Sequence, residues 1–180
     1  MKTLVIVSHP DMPNSRINKV WVEKAASYPK EITIHDLYKE YPDFIINVKR
    51  EQELVENHDN IIFQFPLYWY SSPSLLKKWI DEVIIYGWAY GSKGKRIFYN
   101  RKLGLAISAG VKKGKFTSMS KNKHTLTQML TPFKSLCAYI HAEYVPEFVL
   151  YGANSDMKGE EIQKSANEYL QYIKKYYLRA

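Results

Sequence analysis

The chain has 180 residues, 46% hydrophobic and 24% charged, the proportions of an ordinary globular protein with enough length for one substantial core. No apolar run approaches the roughly 20 residues a helix needs to cross a bilayer, and the one cysteine, Cys137, excludes an intrachain disulfide framework and fits a reducing cytoplasm. The net charge of +8 favours anionic partners: phosphorylated small molecules, a membrane surface or nucleic acid.

In chain order, residues 2–8 form an apolar run without a small-residue cleavage site, so they read as a first strand and not as a secretory signal. Residues 15–27 follow as a helix with Ile17, Val20, Trp21 and Ala25 on one face. Ile32 and Ile34 mark a second strand. Residues 36–46 read as mostly loop and 48–58 as a charged, exposed helix. A third strand over 61–65 stops at Pro66. An aromatic loop, Leu67-Tyr68-Trp69-Tyr70, leads to a helix over 74–84 with Leu75, Leu76, Trp79, Ile80 and Val83 inward. Residues 86–101 form a long loop, 103–107 a fourth strand, and 109–122 a second long loop. Residues 125–140 are helical, with Cys137 in the core and Pro132 starting a segment or kinking it. Residues 144–150 read as a fifth strand and 159–177 as the last helix. The alternation predicts one α/β domain over residues 1–180, with a parallel sheet and helices on both faces.

Three segments carry candidate chemistry, all at predicted strand ends, where open α/β sheets bind ligands. The first lies after strand 1. Ser15 suits a helix start, whose free N–H groups attract an anion, and His9, Arg16 and Asn18 add donors; ordinary capping explains Ser15 equally. The second is the aromatic loop. Four apolar and aromatic residues in a row on a surface loop imply that they cover something. Either a flat ring such as a flavin's lies there, with amides of 67–70 at its polar edge and Trp69 on its face, or the loop is a dimer interface patch or an aromatic satellite core. The third is Ser108-Ala109-Gly110-Val111, where a glycine permits close approach of a ligand or which is simply an ordinary small-residue turn at a sheet edge.

Other chemistry is poorly represented. There is no GxGxxG or GxxxxGK[ST], no GxSxG elbow, and no HExxH or CxxC. No catalytic side chain and no metal site is expected. His35, His58, His124 and His141 read as ordinary. The cationic segment Lys93, Lys95, Arg96, Arg101, Lys102, Lys112, Lys113, Lys115, Lys121 and Lys123 is either a solvated surface or an attractor of phosphate-bearing ligands.

The motifs HP…NSRIN, FQFPLYWYSSPSLLKKWIDEV…GWAYG and TPF…EYVPEFVLYGA together resemble the NAD(P)H:quinone oxidoreductase family. The likeness is to the bacterial branch that includes the modulator-of-drug-activity type and the ancillary proteins of potassium-efflux antiporters. The resemblance implies a flavodoxin-like three-layer sandwich, a five-stranded parallel sheet in the order 2-1-3-4-5, and a homodimer with flavin sites at its interface. It implies that His9, Ser15, Arg16 and Asn18 hold the flavin phosphate and ribityl chain. Pro66, Leu67, Tyr68, Trp69 and Tyr70 would meet the isoalloxazine ring. Ser108, Ala109, Gly110 and Val111 stand where the family has Thr-Thr-Gly-Gly, so the threonine hydrogen bonds are expected to be lost. Phe116 and Lys121 fall where loop tyrosines are usual.

The implied activity is that of an NAD(P)H dehydrogenase (quinone). FMN is the first choice of cofactor and FAD the alternative, with NADPH or NADH as donor and quinone-like acceptors. Lys112, Lys113 and Lys115 would attract the extra phosphate of NADPH. No nucleic acid partner is expected. The alternative reading is a flavin-bearing, redox-sensing regulatory subunit that docks on a membrane transporter with weak turnover. A flavodoxin-type one-electron carrier fits poorly, since such carriers present an acidic face. Trp88 and Tyr90 are expected to reach the dimer interface.

Overall fold

Four strands make the parallel centre of the sheet: β1 (Thr3–Val7), β2 (Ile32–Asp36), β3 (Asn60–Pro66) and β4 (Lys102–Ala109). They lie in the order β2-β1-β3-β4 in this computed structural model, which describes residues 1–92, 94–117, 119, 123–154 and 156–178. Every residue of β1 and β3 is buried, as continuous apolar runs require when both sheet faces are covered. Side chains alternate between two cores. Leu4, Ile6, Ile61 and Phe63 face one, and Val5, Val7, Ile62 and Ala106 the other.

The first core is closed by α3 (Val48–Glu56), α4 (Ser74–Val83) and α6 (Thr131–Ile140), through residues such as Val55, Trp79, Phe133 and Cys137. Burial pushes the Cys137 thiol up to about 12, so it is inert packing. The second core is closed by α1 (Asn18–Ala25) and α7 (Gly159–Tyr176), through Trp21, Ala166, Tyr169 and Ile173. Gly104 is required here. A Cβ at that point of β4 would stand 1.9 Å from the Tyr177 hydroxyl and 2.8 Å from that of Tyr172.

The fifth strand is divided. β5 (Glu143–Tyr144) and β6 (Phe148–Tyr151) both pair parallel with β4, at its two ends. Pro146 falls between them, and a residue without an N–H interrupts the ladder. The order 2-1-3-4-5 therefore holds, with a sixth strand following the fifth along the same edge of β4. The predicted helix over 125–140 also divides, into α5 (Leu126–Met129) and α6, with Pro132 in the first turn of α6.

Three expectations are corrected. Residues 36–46 contain a short helix, α2 (Leu37–Glu40), capped by Asp36, whose side chain accepts from the Tyr38 and Lys39 amides. The helix read as exposed buries Glu51 completely. That carboxylate accepts from Trp79 Nε1 at 2.7 Å and from Tyr41 Oη at 2.5 Å, and it pairs with His35 Nε2 at 2.8 Å. Trp88 is core, not interface: it packs on Phe98 and donates from Nε1 to Glu56 at 2.7 Å. Among the described residues no helix is long and apolar enough to cross a membrane, and no group of three or more His, Cys, Asp or Glu is placed to hold a metal ion.

Candidate functional site

The carboxyl ends of β1, β3 and β4 open into a cavity of about 490 Å³, within the usual range for small-molecule sites. Four loops enclose it: those after β1, β3, β4 and β6. His9, Ser15, Arg16, Asn18, Pro66, Leu67, Tyr68, Ser108 and Gly110 all line it, so the tertiary fold brings together residues that the sequence scatters over three segments.

The loop after β1 supplies the polar wall. Helix α1 starts at Asn18, later than expected, and Ile17 before it makes no side-chain cap. Ser15 acts instead, its Oγ accepting the Asn18 N–H at 3.1 Å. The first-turn amides of α1 have no intrahelical acceptor and favour an anion. His9 is half-buried, and burial holds its pKa below the usual histidine value against the opposing charges of Asp11 and Asp36. Its Nδ1 accepts the Asp11 N–H at 3.1 Å. The ring is thus neutral near pH 7 and carries its proton on Nε2, as a hydrogen-bond donor. Arg16 donates to the carbonyls of Met157 at 2.6 Å and Asn154 at 3.4 Å, tying this loop to the one after β6. Asp11, Asn14, Ala153 and Asn154 also line the cavity and were not anticipated. The signal available for the last two was their place just beyond the last strand, at the same sheet edge.

The loop after β3 supplies the aromatic wall. The Leu67 N–H donates to the Ser108 carbonyl at 2.8 Å, continuing the sheet. Tyr68 and Ser71 exchange N–H···O bonds at 2.9 and 3.0 Å around Trp69 and Tyr70, whose φ values are +47° and +67°. This is a two-residue turn of the kind that normally holds Asn-Gly. Two of the four amides expected to face a ring, those of Leu67 and Tyr68, are therefore spent within the chain. Trp69 is 92% exposed, so it stands out from the protein rather than packing on it. Bulky residues in the left-handed region cost about 1–3 kcal/mol each. Replacing the pair (Trp69→Asn with Tyr70→Gly) is expected to raise the unfolding free energy by about 1–2 kcal/mol while lowering affinity for flat aromatic ligands. Chemical denaturation and ligand titration check the two halves separately.

The turn after β4 behaves unevenly. Ser108 is buried and lines the cavity. Ala109 does not line it; its side chain is 1% exposed within the core beside α4 and α6, because strand alternation sends it to the opposite face. Gly110 lines both this cavity and a smaller one of about 180 Å³, which Trp69, Tyr70, Val111 and Phe116 also line. Phe116 is buried against Tyr151, with ring centroids 5.6 Å apart. Lys112, Lys113 and Lys115 are exposed just before it, the last two in a single 3₁₀ turn. Lys93 and Lys121 lie outside the described residues. Nothing among the described residues demands a glycine at 110. Its φ is outside the left-handed region, and an added Cβ would meet only the Ala153 carbonyl oxygen at 3.8 Å. The room it leaves opens onto the cavities.

A donor-rich wall, an aromatic wall and a small-residue floor thus meet at the carboxyl edge of the sheet. The chain matches the family described as "Flavodoxin-like fold" over residues 1–173. It is 42% identical over 174 residues to the "Uncharacterized NAD(P)H oxidoreductase YrkL" of Bacillus subtilis, covering 97% of this chain and 98% of that one. It is 33% identical over 172 residues to the "Glutathione-regulated potassium-efflux system ancillary protein KefG" of Yersinia pestis, covering 96% and 93%. Among solved structures, the general stress protein 14 of Treponema denticola in complex with FMN superposes with a TM-score of 0.92 at 37% identity, covering 97% of this chain and 99% of that one. The NADPH-quinone reductase from P. pentosaceus superposes with a TM-score of 0.85 at 29% identity, covering 96% and 97%.

Proposed function

Because the chain belongs to the flavodoxin-like fold family, we propose that it is a flavin-dependent NAD(P)H oxidoreductase holding FMN at the carboxyl edge of its sheet and reducing quinones or similar flat acceptors. The observation that carries this reading is Gly110, a glycine the protein does not need for itself, set where the polar and aromatic cavities meet. The FMN-bound relative at 37% identity supports FMN over FAD. The quinone reductase at 29% identity supports the acceptor class.

Bound flavin supplies the two-electron chemistry; the chain supplies binding and orientation. The amides of α1, Ser15 and the His9 Nε2–H would receive the phosphate. Pro66, Leu67 and Tyr68 on one side and Ser108 and Gly110 on the other would flank the ring. Trp69, Tyr70 and Phe116 would stack donor and acceptor in turn, a geometry that tolerates many flat molecules. Lys112, Lys113 and Lys115 fall in the chain between Val111 and Phe116, two residues that line this second cavity, and would favour the more anionic NADPH.

The exposed Trp69, Tyr86 and Tyr139, and an apolar groove of about 540 Å³ between α4 and α6, support a homodimer. The KefG relative supports a second reading, a redox-responsive subunit docked on a membrane transporter. Reconstitution distinguishes them. Purified protein is expected to take up one FMN per chain, to show its visible absorption bands, and to reduce quinones with NADPH. Tight FMN with negligible acceptor reduction favours the regulatory reading. Absence of FMN uptake overturns both.

A further inference from the structure

Beneath the cavity, a chain of buried polar side chains runs from β3 to the β4 turn, and its polarity is fixed. Gln64 is fully buried. Its Nε2 lies 3.0 Å from the backbone carbonyl oxygen of Asn18. A carbonyl only accepts, so this end of Gln64 must be its NH₂ group. The same Nε2 is 3.3 Å from Asn18 Oδ1. With that oxygen turned to Gln64, the Asn18 NH₂ group is turned away, and its Nδ2 lies 2.9 Å from Ser108 Oγ. Asn18 is 1% and Ser108 6% exposed, so water does not readily compete for these bonds.

We propose that Gln64 is a positioning residue that, through Asn18, commits the Ser108 hydroxyl to donate its proton into the cavity. Ser108 Oγ accepts from Asn18, and among the described residues its own proton has no acceptor, while Ser108 lines the cavity. The orientation carries a cost. Gln64 Oε1 is left buried without a partner, a penalty a protein rarely sustains without a return. The opposite orientation would set that oxygen against the Asn18 carbonyl.

The ligand chemistry this selects is a ring-edge carbonyl or imine acceptor whose electron density rises on reduction. A fixed donor there stabilises the reduced, anionic form more than the oxidised one. On this proposal Ser108 keeps a hydroxyl donor at the place where the family has a threonine. The identity of the ring as flavin rests on the function proposed above; the polarity of the chain does not.

Two measurements separate these. In the FMN-loaded protein, Ser108→Ala is expected to weaken binding of reduced relative to oxidised FMN about tenfold, a fall of about 30 mV in a two-electron midpoint potential. Gln64→Glu places a carboxylate against two oxygens and turns the Asn18 amide over, so that Ser108 donates to Asn18 instead of the ligand. It is expected to lower the potential similarly, and the double variant to match Ser108→Ala alone. Additive shifts, or no shift with Ser108→Ala, overturn the proposal. In the flavin-free protein, the side-chain amide ¹⁵N–¹H signals of Gln64 and Asn18 are expected to exchange slowly with solvent. Ser108→Ala should move that of Asn18 and spare that of Gln64. An unmoved Asn18 signal overturns the polarity whether or not flavin binds; failure of FMN to bind, with the Asn18 signal moving as expected, overturns only the flavin reading.

Discussion

Replacing Gly110 with valine is expected to leave the fold intact and weaken FMN binding by about tenfold to a hundredfold, the equivalent of about 1–3 kcal/mol of overpacking. The first half follows from the backbone. The φ of Gly110 suits any residue, and an added Cβ makes one ordinary contact, 3.8 Å from the Ala153 carbonyl oxygen. The second half follows from position, because Gly110 lines both the polar and the aromatic cavity. Thermal unfolding of the flavin-free variant should match the parent, while FMN fluorescence quenching reports the lost affinity. Equal affinity for FMN in both proteins would remove the ring from this part of the sheet edge and with it the function proposed.

Glu51→Ala is expected to destabilise the fold by about 3–5 kcal/mol, the usual cost of breaking a buried charge network from one side. Against a total of roughly 5–15 kcal/mol for a domain, that leaves little margin. The carboxylate is fully buried and serves Trp79, Tyr41 and His35 at once; without it, three buried polar groups lose their shared partner. Glu51→Gln retains the shape and one acceptor oxygen and should cost less. Burial alone would push the Glu51 carboxyl up, but the hydrogen bonds and charge of His35, with those of Tyr41 and Trp79, hold it below the usual glutamate value. The pH dependence follows. A carboxyl with a depressed folded pKa stabilises the protein fully above its unfolded pKa, and that contribution is lost as pH falls through the lower folded value. Acid denaturation of the parent should be steeper than that of Glu51→Gln, measured by urea midpoints across the acid range.

The walls of the cavity are locally encoded in the sequence. Pro66 ends β3, and a row of four apolar and aromatic residues follows it on a surface turn. Ser15 sits at a helix start, and Gly110 follows a buried strand. Each signal is a break in a two-residue or helical period. Ala109 shows the same rule in reverse: adjacent residues of a strand face opposite ways, so its side chain enters the core while Ser108 lines the cavity. Pro146 breaks the ladder between β5 and β6, yet the β-type residues on both sides of it read locally as one strand.

The sequence by itself determined the α/β class and the parallel sheet with helices on both faces, because apolar period and turn residues act over a few positions and crossovers are right-handed; the strand order followed from the family resemblance that its motifs carry. Only the tertiary structure decided that Glu51 and Trp88 lie inside, that Arg16 clasps the loop after β6, and that Asn18 turns its NH₂ group to Ser108. Those outcomes depend on partners far away in the chain. His35 and Trp79 make the burial of Glu51 tolerable, and one backbone carbonyl, at Asn18, orients Gln64 and everything hydrogen-bonded beyond it. A hydrogen bond has a direction that no residue carries alone, so it becomes defined only when the fold brings an obligatory acceptor within reach.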